Sequence, residues 1–253
     1  MRVVIIGAGN VAHVLGSFIK QSAHQVVQVV SRSNASAMEL AAQLGCKGTA
    51  DFAQMLPDAD IYLTAISDAA LNTLSEKINP GNQLIVHTAG AVPKNILQQV
   101  SSNYGVLYPL QSLSKNNIHT GIPIPLLIDA SNEQSLELIK QLAQSISDMV
   151  QQVNDADRLK LHLAAVVTNN FTNHLYALTH KFCADENLDF NMLLPLIEET
   201  TQRLHNHAPA GMQTGPAIRN DTATLDKHLR LLARHPDLRN VYLKLTDSII
   251  NSK

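Results

Sequence analysis

The feature that most constrains this chain lies at its amino-terminal end, where Val3-Val4-Ile5-Ile6 runs straight into Gly7-Ala8-Gly9-Asn10-Val11-Ala12. A β-branched run that ends in G-x-G-x-x-A and continues as a helix encodes a strand, a tight turn and a helix start in one stretch. Gly7 permits the turn, Gly9 lets the backbone approach a diphosphate, and Ala12 lets the helix pack closely on the strand. The N–H groups of the first helical turn have no partners within the helix and so face an anion. Gly7, Ala8, Gly9, Asn10 and Val11 are therefore expected to cradle the diphosphate of a dinucleotide. The alternative is a glycine turn that holds no ligand.

The rest of the first half repeats the same rhythm. Short β-branched runs at Val3 to Ile6, Val26 to Val30, Ile61 to Ala65, Leu84 to His87, Gly105 to Tyr108 and Pro125 to Ile128 alternate with helical stretches near 10–21, 35–44, 68–77 and 93–101. That alternation predicts β-α-β units and a doubly wound parallel sheet, a Rossmann arrangement. From about Ser131 strand-like runs vanish and apolar residues recur at helical spacing. A stretch from Asp155 to Glu186 holds no proline or glycine and predicts one long helix, with later helices at 189–206, 221–234 and 238–251 and a loop from Ala208 to Gly215. The expected division is a dinucleotide-binding domain over 1–152 and an all-helical domain for substrate and subunit contacts over 153–253.

The end of the second strand selects the cofactor, because an NAD site places Asp or Glu there to bond the ribose 2′-hydroxyl. Here it reads Ser31-Arg32-Ser33, and no acidic residue occurs from Met1 to Met38. A guanidinium flanked by two hydroxyls suits a 2′-phosphate, so NADP is the expected cofactor. The alternative for Arg32 is a solvated surface arginine. The third and fourth runs end in Ala65-Ile66-Ser67-Asp68 and His87-Thr88-Ala89-Gly90. Carboxyl ends of strands border the ligand crevice in such sheets, so Ala65, Ile66, Ser67, His87, Thr88 and Ala89 are further cofactor candidates. Ser67 or Asp68 could equally cap a helix, and His87 could be a satisfied buried histidine.

Composition excludes several classes. A net charge of −2 with scattered basic residues offers no footprint for nucleic acid. Apolar runs such as Leu163-Ala164-Ala165-Val166-Val167 fall far short of the roughly 18 residues that a membrane span needs. A strand begins almost at Met1, which predicts no signal peptide and a cytoplasmic location. Cys46 and Cys183 lack the spacing of a zinc site or a disulfide framework, and His205 and His207, two apart, point to different faces of a helix. No metal is expected.

A nucleotide loop at the extreme amino terminus, Ser-Arg-Ser after the second strand and a helical second half resemble the superfamily of 6-phosphogluconate dehydrogenase, β-hydroxyacid dehydrogenases, ketopantoate reductase and pyrroline-5-carboxylate reductase. The segments His87-Thr88-Ala89-Gly90, Tyr108-Pro109-Leu110-Gln111-Ser112, Leu161-His162-Leu163-Ala164-Ala165 with Asn169-Asn170, and Thr214-Gly215-Pro216-Ala217-Ile218-Arg219-Asn220-Asp221 are similar to a branch of Rossmann-like NADP oxidoreductases with a C-terminal domain of unknown function. The resemblance implies that fold, an NADP cofactor and a homodimer built by the helical half. It also implies that a deazaflavin could replace an organic hydride partner.

The better-known relatives carry a catalytic Lys with an Asn four residues on, whereas here Lys160 is followed at that spacing by Ala164. On an uninterrupted α-helix, His162, Asn169 and Asn173 would share nearly one face at 100° per residue. One reading makes His162 the group that protonates or orients a carbonyl or imine accepting hydride, with Asn169 holding substrate polar atoms in a cleft between the domains. The other makes all three helix caps or bridges. Lys160 is expected to be solvated, and Arg219 with Asp221 could form an ion pair. Two function classes follow: an NADP-dependent oxidoreductase acting on a small carbonyl, imine or hydroxy acid, or a non-catalytic NADP-binding sensor.

Overall fold

The computed structural model of the chain describes residues 1–118 and 121–252. Backbone contacts divide it into two compact units, Met1–Val166 and Val167–Lys253. The first is built on one sheet. Its strands are β1 (Arg2–Ile6), β2 (Gln25–Val30), β3 (Lys47–Thr49), β4 (Ile61–Thr64), β5 (Leu84–His87), β6 (Tyr104–Pro109), β7 (Leu126–Ala130) and β8 (Val150–Gln152), in the order β3-β2-β1-β4-β5-β6-β7-β8. Helices α1 (Asn10–Gln21), α2 (Asn34–Leu44), α3 (Asp68–Leu71), α4 (Glu133–Gln144) and α5 (Asp155–Ala165) belong to the same unit.

Strands β1, β4 and β5 are buried at every position after Arg2, because both faces of the sheet are covered. In β1, Val3 and Ile5 enter one core with Leu15 and Ile19 of α1, Leu40 of α2 and Ile139 of α4. Val4 and Ile6, pointing the other way, enter a second core with Leu71 of α3 and with Leu74, Ile78 and Leu97. A one-residue slip of β1 would exchange the two cores, which pins its register. The strand order reverses direction at β1, between β2 on one side and β4 on the other. That switch point is where the loops after β1 and β4 part and leave a crevice at the carboxyl edge.

The sheet is parallel except at β6 and β7, which pair antiparallel. Among the described residues, the connection from β6 to β7 holds no crossover helix of the kind a parallel pair requires, and the chain returns in the opposite direction. Helix α4 then carries it from β7 to a parallel β8. The expectation that strands end near Ser131 is thus corrected by β8. Both β8 and β3 are three residues long and polar in part, too short to show a period. The helix expected over 68–77 is the four-residue α3 followed by a 3-10 turn at Leu74–Glu76, and the one over 93–101 is a 3-10 turn at Lys94–Leu97.

The long helix expected from 155 to 186 changes its winding. Helix α5 ends at Ala165, Val166–Phe171 forms a π-helical segment, and α6 runs from Thr172 to Asp185. Val166, Val167, Thr168, Asn169 and Asn170 are five consecutive residues of low α-helical propensity, which explains why the regular winding yields there. Counting 100° per residue does not run through a π turn, so the spacing that placed His162, Asn169 and Asn173 on one face is corrected.

The second unit continues with α7 (Leu194–Arg203), α8 (Thr222–Leu231) and α9 (Pro236–Ile250). A 3-10 turn at Pro209–Met212 occupies part of the expected loop. His235, opening α9, bonds Glu186 at 2.8 Å just beyond the end of α6, and its ring meets Phe182 edge-on. Asp221 accepts from the backbone N–H and hydroxyl of Thr224 as the N-cap of α8. It forms no ion pair within 4.0 Å with Arg219 among the described residues, so that expectation is corrected in favour of capping.

Candidate functional site

The glycine loop sits as its residue types dictate. Gly7 adopts φ +115°, donates its N–H to the Val30 carbonyl at 2.7 Å, and passes so close to β4 that a Cβ would stand 2.2 Å from the Ala65 carbonyl oxygen. Gly9 is the N-cap of α1 and makes no side-chain cap; a Cβ there would meet nothing within 4 Å. The first turn of α1 carries no acidic residue, so its unpaired N–H groups meet no internal anion. The open space beside Gly9 belongs to a cavity of about 340 Å³.

Gly7, Ala8 and Gly9 after β1, Ser31, Arg32 and Ser33 after β2, and Ala65, Ile66 and Ser67 after β4 all line this one cavity. The structure therefore gathers nine residues that the sequence singles out from three separate strand ends. Asn10 and Val11 do not line it. Asn10 Oδ1 accepts from the Lys115 N–H at 3.1 Å, and Val11 packs against the sheet core. Ser33 caps α2 by accepting from the Ser36 N–H. Lys77, Ser36, Phe52 and Leu74 line the cavity too, although sequence reasoning overlooked them. Nothing in their local patterns marks them.

His87 ends β5 and Thr88 and Ala89 follow it, but the structure buries all three instead of lining the cavity with them. Thr88 bonds the Thr64 carbonyl through both its N–H and its hydroxyl, which ties the ends of β4 and β5 together. His87 is fully buried and its Nδ1 accepts from the Ala89 N–H at 3.2 Å, leaving the ring proton on Nε2, where no group accepts it. Burial first, and then the Arg158 guanidinium, push its pKa down to about 4. The Pro93 carbonyl and Asp155 oppose that shift, but Pro93 lies outside hydrogen-bonding geometry.

A second constellation stands at the same carboxyl edge, where β5 and β6 end. The Tyr108 hydroxyl and His162 Nδ1 lie 2.9 Å apart, with the rings edge to face at 5.8 Å between centroids. Gly90 makes this possible, since a Cβ there would stand 2.7 Å from His162 Nδ1 and 2.8 Å from Tyr108 Cζ. Burial raises the Tyr108 pKa, outweighing the opposing influence of Arg158, so the phenol stays protonated near neutral pH. With Nδ1 held by Tyr108, Nε2 is the ring position of His162 free to exchange a proton.

Arg158, one turn before His162 on α5, is only 1% exposed. Its Nη2 donates to the Val92 carbonyl and pairs with Asp155 Oδ1 at 2.8 Å, while Nε and Nη1 have no partner. The same Asp155 oxygen accepts the Lys94 N–H at 3.1 Å, and Lys94 Nζ reaches Asp129 at 2.6 Å. These bonds fasten the start of α5 to the segment after β5 and so set the height of His162 over the strand ends. Sequence reasoning passed over Arg158. The i, i+4 spacing to His162 was the available signal.

Lys160 pairs with Asp157 at 2.9 Å, its side chain 77% exposed, in the solvated role expected of it. Asn169 and Asn173 belong to the second unit, where both are exposed, and Asn169 Nδ2 donates to Asn170.

The chain is similar to known proteins over nearly its whole length. Residues 2–90 match the family described as NADP oxidoreductase coenzyme F420-dependent, and residues 124–249 match a Domain of unknown function (DUF2520). No curated protein matches the chain. Among solved structures, a Bacteroides fragilis protein described as an NADP oxidoreductase is 38% identical, with a TM-score of 0.93 over 99% of this chain and 98% of its own. A 1-pyrroline-5-carboxylate reductase from Streptococcus pyogenes is similar in fold at 15% identity, with a TM-score of 0.65 over 99% and 98%. So is a reductive aminase from Aspergillus terreus in complex with NADPH and ethyl-5-oxohexanoate, at 12% identity, with a TM-score of 0.71 over 99% and 93%.

Proposed function

From the premise that this chain belongs to the family of NADP oxidoreductases whose nucleotide domain precedes a domain of unknown function, we propose that it transfers hydride between NADP and a small carbonyl, imine or hydroxy acid. The observation that carries the reading is the Tyr108–His162 pair at the carboxyl edge of the sheet whose neighbouring strand ends form the glycine-loop cavity. Tyr108 is three strands from β1, about 14 Å along the edge.

The residues fit the cofactor: backbone at Gly9 lies open to a diphosphate, and Arg32 with Ser31 suits a 2′-phosphate. When bound, the nicotinamide supplies or accepts the hydride. The chain does the rest. His162 gives a proton from Nε2 to the substrate oxygen or nitrogen as it is reduced, and takes it back in the reverse direction. Tyr108 holds the ring through Nδ1, and His87, kept neutral, adds no charge beneath the site. Asn169, exposed on the π-helical segment, is assigned to hold substrate polar atoms, π turns being frequent at functional sites.

Calorimetric titration with NADPH and NADH, followed by a screen of carbonyl and imine substrates read by nicotinamide absorbance, tests this reading. His162→Ala is expected to lower kcat by roughly 10²–10⁴-fold while leaving NADPH affinity intact. Turnover that survives the substitution would overturn the role of His162. A protein that binds NADPH but turns over no substrate would favour the sensor reading, which the exposed ion pair of Lys160 in place of a Lys–Asn site supports.

The helical unit is proposed to build a homodimer. Among its described residues the buried apolar side chains are Cys183, Ala217, Leu225 and Leu232, whereas Phe171, Leu188, Leu196 and Leu231 are exposed and Met192 is 77% exposed. So small a core leaves much apolar surface that a second copy would cover. Light scattering is expected to give twice the 27.6 kDa chain mass, and a monomer at micromolar concentration would overturn it. No helix among the described residues is long and apolar enough to cross a membrane.

A further inference from the structure

The cavity beside the glycine loop is lined by two cations, Arg32 and Lys77, and by no carboxylate. Arg32 follows β2. Lys77 comes from a different element, immediately after the 3-10 turn Leu74–Glu76, whose Leu74 is buried in the second core and so anchors the turn against the sheet. Among the described residues neither cation has an ion pair within 4.0 Å or a side-chain hydrogen bond. Lys94, Lys115, Lys160 and Lys181, by contrast, each hold a carboxylate. Two uncompensated cations facing one small space repel each other unless an anion lies between them.

The diphosphate of a dinucleotide does not account for this charge, because the open backbone at Gly9 and the first turn of α1 already meet it. A phosphate monoester does. It carries about −1.5 to −2 charge at neutral pH and three acceptor oxygens, which suits a guanidinium, an ammonium and the Ser31 and Ser36 hydroxyls that line the same space. We propose that Lys77 is a second cationic contact to the 2′-phosphate of the cofactor, closing on it opposite Arg32 and sharing control of the NADP preference. This rests on the NADP reading above and names a residue that motif reading does not reach, since Lys77 is 45 positions from Arg32.

The test is calorimetric binding of adenosine 2′,5′-bisphosphate and 5′-AMP to the wild-type protein and to the Lys77→Met, Lys77→Arg and Arg32→Met variants. Lys77→Met is expected to weaken the bisphosphate about tenfold or more, the loss of one charge-assisted contact, and to change 5′-AMP affinity by less than twofold. Lys77→Arg should keep most of the preference. Lys77 is exposed, so the melting temperature of each variant should stay at the wild-type value. Equal losses for both ligands would place Lys77 on the adenosine and overturn the proposal. So would an unchanged bisphosphate affinity in Lys77→Met beside a lost one in Arg32→Met, a result that leaves the NADP reading standing. Wild-type protein with no preference for the bisphosphate would overturn both.

Discussion

Gly9→Ala is expected to abolish NADPH binding while leaving the fold intact, and Gly7→Ala, two residues away, is expected to destabilise the fold itself. At Gly9 the backbone has φ −89°, which alanine adopts, and the added methyl meets no protein atom within 4 Å. Its stability cost is that of a weaker N-cap, about 1 kcal/mol. The methyl occupies the space through which a diphosphate would reach the α1 N–H groups, so the loss falls on the ligand. At Gly7 the same methyl would stand 2.2 Å from the Ala65 carbonyl oxygen, on a backbone at φ +115°. Strain at such a φ costs about 1–3 kcal/mol, and overpacking against a backbone that cannot yield costs about 1–3 kcal/mol more. Together these are a large share of the stability of an ordinary domain, about 5–15 kcal/mol. Urea unfolding and NADPH titration of the two variants separate the effects. Undiminished binding in Gly9→Ala, or wild-type stability in Gly7→Ala, would refute the account of the loop.

Acid should weaken the sheet unit through His87. Its folded pKa, about 4, lies below the ordinary 6.5 because burial and Arg158 disfavour the charged ring. The unfolded chain therefore takes up a proton as pH falls below about 6.5, and the folded protein does not follow until about pH 4. Stability is full above 6.5 and declines through that window by about 3 kcal/mol. Asp157 and Asp221, held below their usual range chiefly by bonds to Lys160 and Thr224, act at lower pH. His24, lowered mainly by burial, acts in the same direction, so the comparison has to be with a variant. His87→Asn keeps an acceptor for the Ala89 N–H and removes the titration. Its stability between pH 4 and 6.5 is expected to be flatter than wild type by about 3 kcal/mol. Parallel profiles for the two proteins would show that His87 does not carry the effect. A neutral His87 also keeps a second positive charge away from Arg158.

How much of the site was legible depended on how local its encoding is. The glycine loop, the arginine after β2 and the small residues after β4 were readable because each lies within a few residues of a strand end. Their shared cavity follows from the switch point that the β-α rhythm implies. His162 was readable from the segment Leu161-His162-Leu163-Ala164-Ala165 that carries the family resemblance. The face it seemed to share with Asn169 was misread, since nothing in an i, i+7 count reveals a π turn. The edge strands β3 and β8 escaped because three residues are too few to show a period, and the antiparallel β7 because direction is set by the connection, not by the strand.

By itself the sequence determined the nucleotide loop, the cofactor end of the cavity and the change from a sheet to a helical half, all of which rest on backbone preferences within a turn or two. Only the tertiary structure decided that Tyr108 holds His162 across 54 positions, that Arg158 clamps α5 beneath it, that His87 is buried and neutral, and that Lys77 faces Arg32's cavity. Those pairings depend on strand order and on exclusion of water. Both arise when distant segments pack, and neither is written into any single segment.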